Sequence, residues 1–125
     1  MKTLEAVERV FRRFRRHLQA DGVVIVEPWF EPGQLDPHYV MRPEFDVGGM
    51  HVERLGHSDV ADRLSTVHFD YRTVEGAEER TATETHELRV FTNAEIMSAF
   101  ASAGFAAECD PTRLTGRGLY IARLA

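Results

Sequence analysis

The sequence holds a single cysteine, Cys109, in 125 residues, which excludes an internal disulfide framework. No apolar run approaches the roughly 20 residues that a membrane-spanning helix needs, and no signal-like segment is present; a cytoplasmic protein is expected. Basic residues do not outnumber acids. The net charge of -5 argues against nucleic acid or an anionic membrane surface as a partner and leaves a small molecule or a protein. Glycine is scattered: Gly48-Gly49 sits in a turn-like stretch, and Gly116 with Gly118 lies too near the end to open a helix. A glycine-rich phosphate-cradling loop of the strand-to-helix type is therefore missing. What remains suits one domain over 1–125 with a moderate core.

The most informative stretch that is present is Asp21-Gly22-Val23-Val24-Ile25-Val26-Glu27-Pro28-Trp29-Phe30. Four aliphatics without alternation predict a strand covered on both faces, as in a parallel sheet, where ligands collect outside the carboxyl ends of strands. Glu27, Pro28 and Trp29 then stand where a site forms. The same residues also suit a solvated strand terminus and a core indole. Before this strand, Leu4, Val7, Phe11, Phe14 and Leu18 recur at spacings of three and four, which predicts a helix from about Thr3 to Gln19. Its other side carries Arg12, Arg13, Arg15, Arg16 and His17, a solvated face favoured near the negative end of the helix dipole.

After Phe30, the breakers Glu31 to Pro37 lead into a region whose period changes to two. Extended segments are expected at about Met50 to His57, Leu64 to Val74 and Arg80 to Phe91, with Glu75-Gly76-Ala77-Glu78 as the turn between the last two. In the middle segment Val67, Phe69 and Tyr71 point one way and His68, Asp70 and Arg72 the other. Thr92-Asn93-Ala94-Glu95 fits a capping box, with Ile96, Met97 and Phe100 as the buried stripe and Gly104 as the stop. Phe105 to Cys109 and Leu119 to Arg123 read as two final strands. Cys109 has no activating neighbour and reads as a small core residue.

Three stretches carry a resemblance: Phe11-Arg12-Arg13-Phe14-Arg15-Arg16-His17-Leu18 leading to Gly22–Phe30, Leu88-Arg89-Val90-Phe91-Thr92 with the helix closing at Ala103-Gly104-Phe105, and Thr115-Gly116-Arg117-Gly118-Leu119-Tyr120. In order and spacing the chain resembles the carboxyl-terminal half of class I S-adenosylmethionine-dependent methyltransferases, and among them the amino-sugar N-methyltransferases of antibiotic biosynthesis. The resemblance implies an α/β fold: a partial Rossmann-like sheet with an inserted antiparallel meander, made of helix and central strand (1–30), insert (40–91), then helix and edge hairpin (92–125). It implies S-adenosylmethionine as methyl donor, although the donor-binding loop is absent from this chain. It also implies that Glu27, Pro28 and Trp29 line the acceptor pocket and that Arg117 faces the nucleotide-sugar side.

The residue chemistry agrees with those roles. A guanidinium grips two oxygens at once, a carboxylate orients an ammonium or hydroxyl, and an indole offers a flat apolar wall. Methyl transfer from a sulfonium asks mainly for alignment of the amine, and no residue here is named as catalytic base. The implied activity is N-methylation of a small acceptor such as a nucleotide-linked amino sugar, with this chain supplying the acceptor side. It would act as a homodimer or with a complementary donor-binding half, because both the Val23–Val26 edge and the helix stripe are expected to be uncovered. A second reading is a non-enzymatic small-ligand-binding or helper protein. A third is a metal-dependent β-rich enzyme: if the turn centres near Ala77, His68 faces His86 and Asp70 faces Glu84. No metal ligand is assigned on that basis.

Overall fold

The computed structural model describes residues 1–112 and 116–125. The elements are α1 (Leu4–His17), β1 (Val23–Val26), β2 (Glu44–Val47), β3 (Met50–Ala61), β4 (Leu64–Glu75), β5 (Glu78–Arg89), α2 (Asn93–Ser102), β6 (Phe105–Asp110) and β7 (Leu119–Leu124). They fall into two compact units, one of Met1–Leu35 with Arg89–Ala125, the other of Asp36–Leu88. Among the described residues, no helix is long and apolar enough to cross a membrane.

The first unit is a three-stranded sheet, in the order β1-β7-β6, with both helices on it. Thr3 starts α1 by accepting a hydrogen bond from the Ala6 amide, and the helix ends where the Leu18 amide reaches Phe14. The stripe, expected to be uncovered, is instead largely covered by α2 and the sheet: Val7 and Phe11 are buried, and of the five residues only Phe14 is clearly exposed. The arginine side stands in solvent, as expected. In α2 the Thr92 hydroxyl accepts from the Glu95 amide while the Glu95 carboxylate accepts from the Thr92 amide, the reciprocal capping box of the sequence reading. Phe100 is the centre of the core. It is fully buried, stacks on Phe11 at 3.9 Å between centroids, and meets Phe105 edge-on at 6.0 Å.

One expectation is corrected here. The β1 strand pairs antiparallel with β7, from Val23 opposite Arg123 to Val26 opposite Tyr120, and it alternates instead of being buried on both faces. Val24 is 8% exposed, but Ile25 is 65% exposed. Among the described residues of this unit the helices cover the face that carries Val24, Tyr120 and Ala122, and nothing covers the other face or the outer edge of β1. Among the described residues, the β1–β7, β2–β3, β3–β4 and β6–β7 pairs are all antiparallel.

The second unit is a meander, β2-β3-β4-β5, each strand beside its neighbour in sequence. The alternation read for β4 is there: Val67 is buried, while Asp70 and Arg72 are exposed on the opposite face. The β2 strand was not foreseen. The β3–β4 hairpin turns through Asp62 and Arg63, both with positive φ (48° and 65°), the left-handed pair that a two-residue hairpin requires. Between β4 and β5 the turn is Gly76-Ala77 alone, so its centre precedes Ala77. The supposed His68–His86 pairing is therefore wrong. A shift of one residue sends a side chain to the other face, so His68 meets Thr85, and His86 lies beside Phe69 on the reverse. Asp70 and Glu84 are likewise on opposite faces, Glu84 accepting a hydrogen bond from the Tyr71 hydroxyl at 2.9 Å.

Gly56 lies opposite Phe69 in the β3–β4 ladder and exchanges two backbone hydrogen bonds of 2.8 Å with Met41. A Cβ there would stand 2.9 Å from the Phe69 ring. The ring is itself held under the Arg54 guanidinium at 4.9 Å. Gly56→Val is therefore expected to destabilise the protein by about 1–3 kcal/mol through overpacking, read from its denaturant midpoint; an unchanged midpoint would show that the ring moves freely.

The β2–β3 hairpin carries a titratable pair. His51 Nδ1 is 2.9 Å from Asp46 and its Nε2 is 3.7 Å from Glu53. The hydrogen bond to Asp46 is the main reason that the imidazole pKa is raised above its ordinary value. A raised folded-state pKa gives stability that is fully present below the unfolded value, about 6.5, and is lost as pH rises through the folded value. NMR titration should give His51 a midpoint above that value, falling in Asp46→Asn. Equal midpoints in the two proteins would remove the interaction.

Candidate functional site

The chain leaves β1 through Glu27-Pro28-Trp29-Phe30 and returns to the same place through Gly116-Arg117-Gly118 before β7. Pairing of β1 with β7 brings these segments together across 90 positions: an Arg117 guanidinium nitrogen donates to Glu27 Oε1 at 2.6 Å. The same guanidinium lies 5.5 Å from the Trp29 ring and 5.5 Å from the Phe30 ring, which meet edge-on at 5.0 Å. Arg117 is thus held by a carboxylate and two aromatic faces, and its side chain is only 21% exposed. Pro28 is half-buried. Thr115 of the sequence motif lies outside the described residues.

Gly118 explains how the loop closes. Its φ is +89°, and a Cβ there would stand 3.4 Å from the Asp110 carbonyl and 3.7 Å from Cys109 Sγ. The left-handed backbone and the close approach both favour glycine. Behind the loop, Cys109 and Tyr120 are hydrogen-bonded neighbours in the β6–β7 ladder. Burial is the leading reason that both the Cys109 thiol and the Tyr120 hydroxyl are pushed above their ordinary pKa values, with the negative charge of Glu31 adding to it. Both stay protonated at neutral pH and neither serves as a base there. Cys109 is in keeping with its reading as an inert, packed thiol.

The indole Nε1 of Trp29 is buried and has no hydrogen-bond partner among the described residues. Buried donors are nearly always satisfied, so an unpaired one beside an ion pair and the Phe30 ring is unusual. Sequence reasoning named Glu27, Pro28, Trp29 and Arg117 but missed Phe30, the second ring under Arg117, and Glu31, which accepts from the Asn93 amide at 3.4 Å. The aromatic pair Trp29-Phe30 was the available signal for Phe30. Nothing in the spacing announced Glu31.

The second unit has its own concavity, a cavity of about 530 Å³ with Arg42, Glu53, Arg54, Asp70, Arg72 and Thr83 in its wall. Arg72 is already gripped there by Glu53 at 3.1 Å and Glu79 at 2.8 Å. The buried Arg54 Nε has no partner.

No protein-family model matches the chain. Among curated proteins it is similar to dTDP-4-amino-2,3,4,6-tetradeoxy-D-glucose N,N-dimethyltransferase of Saccharopolyspora spinosa, at 34% identity over 97% of this chain and 49% of that protein. It is also similar to dTDP-3-amino-3,6-dideoxy-alpha-D-glucopyranose N,N-dimethyltransferase of Streptomyces fradiae, at 32% identity over 91% of this chain and 45% of that protein. Among solved structures, DesVI of Streptomyces venezuelae superposes with a TM-score of 0.92 at 29% identity, covering 99% of this chain and 53% of that one. CalS10, an S-adenosylmethionine-bound amino pentose methyltransferase from Micromonospora echinaspora, superposes with a TM-score of 0.85 at 27% identity, covering 100% and 53%.

In fold and sequence the chain is similar to one half of the S-adenosylmethionine-dependent sugar methyltransferases, an α/β arrangement with an antiparallel meander. Within that class it is similar to the amino-sugar N,N-dimethyltransferases of antibiotic biosynthesis. The chain spans about half the length of the curated relatives it matches. The residues present do not fit the methyl donor. Among the described residues α2 is entered through Val90-Phe91-Thr92 and a capping box, and β1 runs into Glu27-Pro28, so no glycine-rich turn joins a strand to a helix.

Proposed function

We propose that this chain supplies the acceptor side of an S-adenosylmethionine-dependent N-methyltransferase whose acceptor is a small nucleotide-linked amino sugar. The observation that carries the reading is the likeness to three curated sugar N,N-dimethyltransferases over nine-tenths or more of the chain. The local chemistry supports it. Glu27 orients the ammonium or hydroxyl groups of the sugar, Trp29 and Pro28 give it a flat wall, and Arg117 holds anionic oxygens of the nucleotide part. The orphan Trp29 indole N–H finds its acceptor on that ligand.

Donor binding requires residues beyond those of this chain. We propose that they come from a complementary segment or a second copy that adds strands along β1. The edge is unpaired within its unit, and it carries Ile25 and Val23, 65% and 39% exposed, on the uncovered face. The chain is assigned to the cytoplasm, an assignment supported by its half-buried free cysteine.

Calorimetry tests the reading in two arms. The isolated chain should give no heat with S-adenosylmethionine and measurable heat with a dTDP-linked amino sugar. Co-expressed with the donor-binding half of the Saccharopolyspora spinosa relative, it should methylate that sugar. Failure of both the sugar binding and the complementation would overturn the proposal. Sugar binding without complementation would favour the helper reading, for which the missing donor loop is the observation in hand.

A further inference from the structure

The β3–β4 register creates a cluster that the sequence did not suggest. His57 on β3 lies opposite His68 on β4, and Asp59, two positions along β3, shares their face of the sheet. The two imidazole rings stack with centroids 4.9 Å apart and planes 22° from parallel. The Asp59 carboxylate is 3.4 Å from His68 Nε2. One ligand-type atom from each of the three residues lies within 4.8 Å of the others. We propose that His57, Asp59 and His68 form a binding site for a divalent first-row transition ion such as Zn²⁺, clamping β3 to β4 on the meander.

Four features support the assignment. Two imidazoles and one carboxylate are a borderline-soft ligand set that suits Zn²⁺, Ni²⁺ or Cu²⁺ and not Mg²⁺ or Ca²⁺, which take oxygen ligands. The stacking of the two rings brings a nitrogen from each strand to one place. His68 is oriented from outside the cluster. The Thr85 hydroxyl stands 3.4 Å from its Nδ1, leaving Nε2 on the side of Asp59, the arrangement in which an outer partner fixes the ligating nitrogen. The last adjustment is small: bonds of about 2.0–2.2 Å need the three atoms drawn inward, and Asp59, with a side chain 76% exposed, is unconstrained enough to swing.

The rigid part of the site comes from the ladder. Twelve consecutive residue pairs join β3 to β4, so the backbone positions of His57 and His68 are set before any ion arrives. Three protein ligands leave coordination positions to water, as in an open site. The proposal concerns the meander alone and does not rest on the methyltransferase reading.

The test is titration of the whole chain with Zn²⁺, and separately with Mg²⁺, followed by calorimetry and thermal melting. Saturable binding of one Zn²⁺ is expected, with a raised melting temperature and no response to Mg²⁺. His57→Ala and His68→Ala should each weaken binding by at least about tenfold, and Thr85→Ala by about tenfold through loss of ring orientation, while His86→Ala leaves it unchanged. Because a substituted strand can lose its fold, the unsubstituted chain provides a second readout. On adding Zn²⁺, the ring-proton signals of His57 and His68 should shift together while those of His86 and His51 stay still. Absence of saturable binding at millimolar Zn²⁺, equal affinity in both histidine variants, or shifts confined to other histidines would overturn the assignment.

Discussion

Arg117→Ala is expected to weaken binding of a dTDP-linked amino sugar by about 10–100-fold, the range that corresponds to losing a charge-assisted hydrogen-bonding group worth about 1.5–3 kcal/mol. Two losses combine. The guanidinium fork is gone, and Glu27, which now accepts from it at 2.6 Å, loses the partner that fixes its carboxylate. The aromatic cradle of Trp29 and Phe30 also loses the cation over its faces. Arg117→Lys should recover only part of the affinity, because a point charge does not reproduce the planar fork. Calorimetry on the chain, with circular dichroism to confirm folding, decides the matter. Unaltered affinity in the alanine variant would remove Arg117 from the site.

Phe100→Ala should be the most damaging core substitution, costing about 3–5 kcal/mol, a large share of the roughly 5–15 kcal/mol that holds a folded domain together. Its ring is fully buried between Phe11 of α1, Phe105 of β6 and Tyr120 of β7, so truncation opens a cavity where helices and sheet meet. Phe100→Leu should be much milder. A denaturant midpoint for Phe100→Ala within experimental error of the parent would contradict the placement of this residue at the centre of the core.

Local signals were legible in the sequence where a short segment determines its own structure. Thr92 with Glu95 fixes a helix start through two hydrogen bonds among four residues, and Gly104, at φ +83°, stands just beyond its end. The period of two in β4 was equally plain, because Val67, Phe69 and Tyr71 alternate with charged or polar neighbours. The β1 strand was misread for a physical reason. An aliphatic run reports that both faces are apolar, not that the chain in hand covers both, and Ile25 is apolar and exposed. The β2 strand, Glu44-Phe45-Asp46-Val47, has all four residues exposed and is held by β3 alone, which leaves too short a pattern to read.

Non-local geometry was harder. The partner of His68 depended on whether a turn centres on Ala77 or just before it, a displacement that reverses every side chain of β5. Glu27 and Arg117 were named through a resemblance. Their direct ion pair follows only from the antiparallel register of β1 and β7, which no spacing of residues so far apart reveals. Phe30 and the orphan indole nitrogen of Trp29 are consequences of the same closure.

The two sheets differ in how far apart their partners lie along the chain, and this has a kinetic consequence. Every ladder of the meander joins consecutive strands, whereas Val23 must find Arg123, one hundred positions later, to close the other sheet. Loop closure over that distance opposes early pairing, so the meander should collapse first and the β1–β7 seam should zip last. In pulsed hydrogen exchange during refolding, the amides of β3 and β4 should gain protection before those of β1; simultaneous protection would mean that chain separation does not order these events.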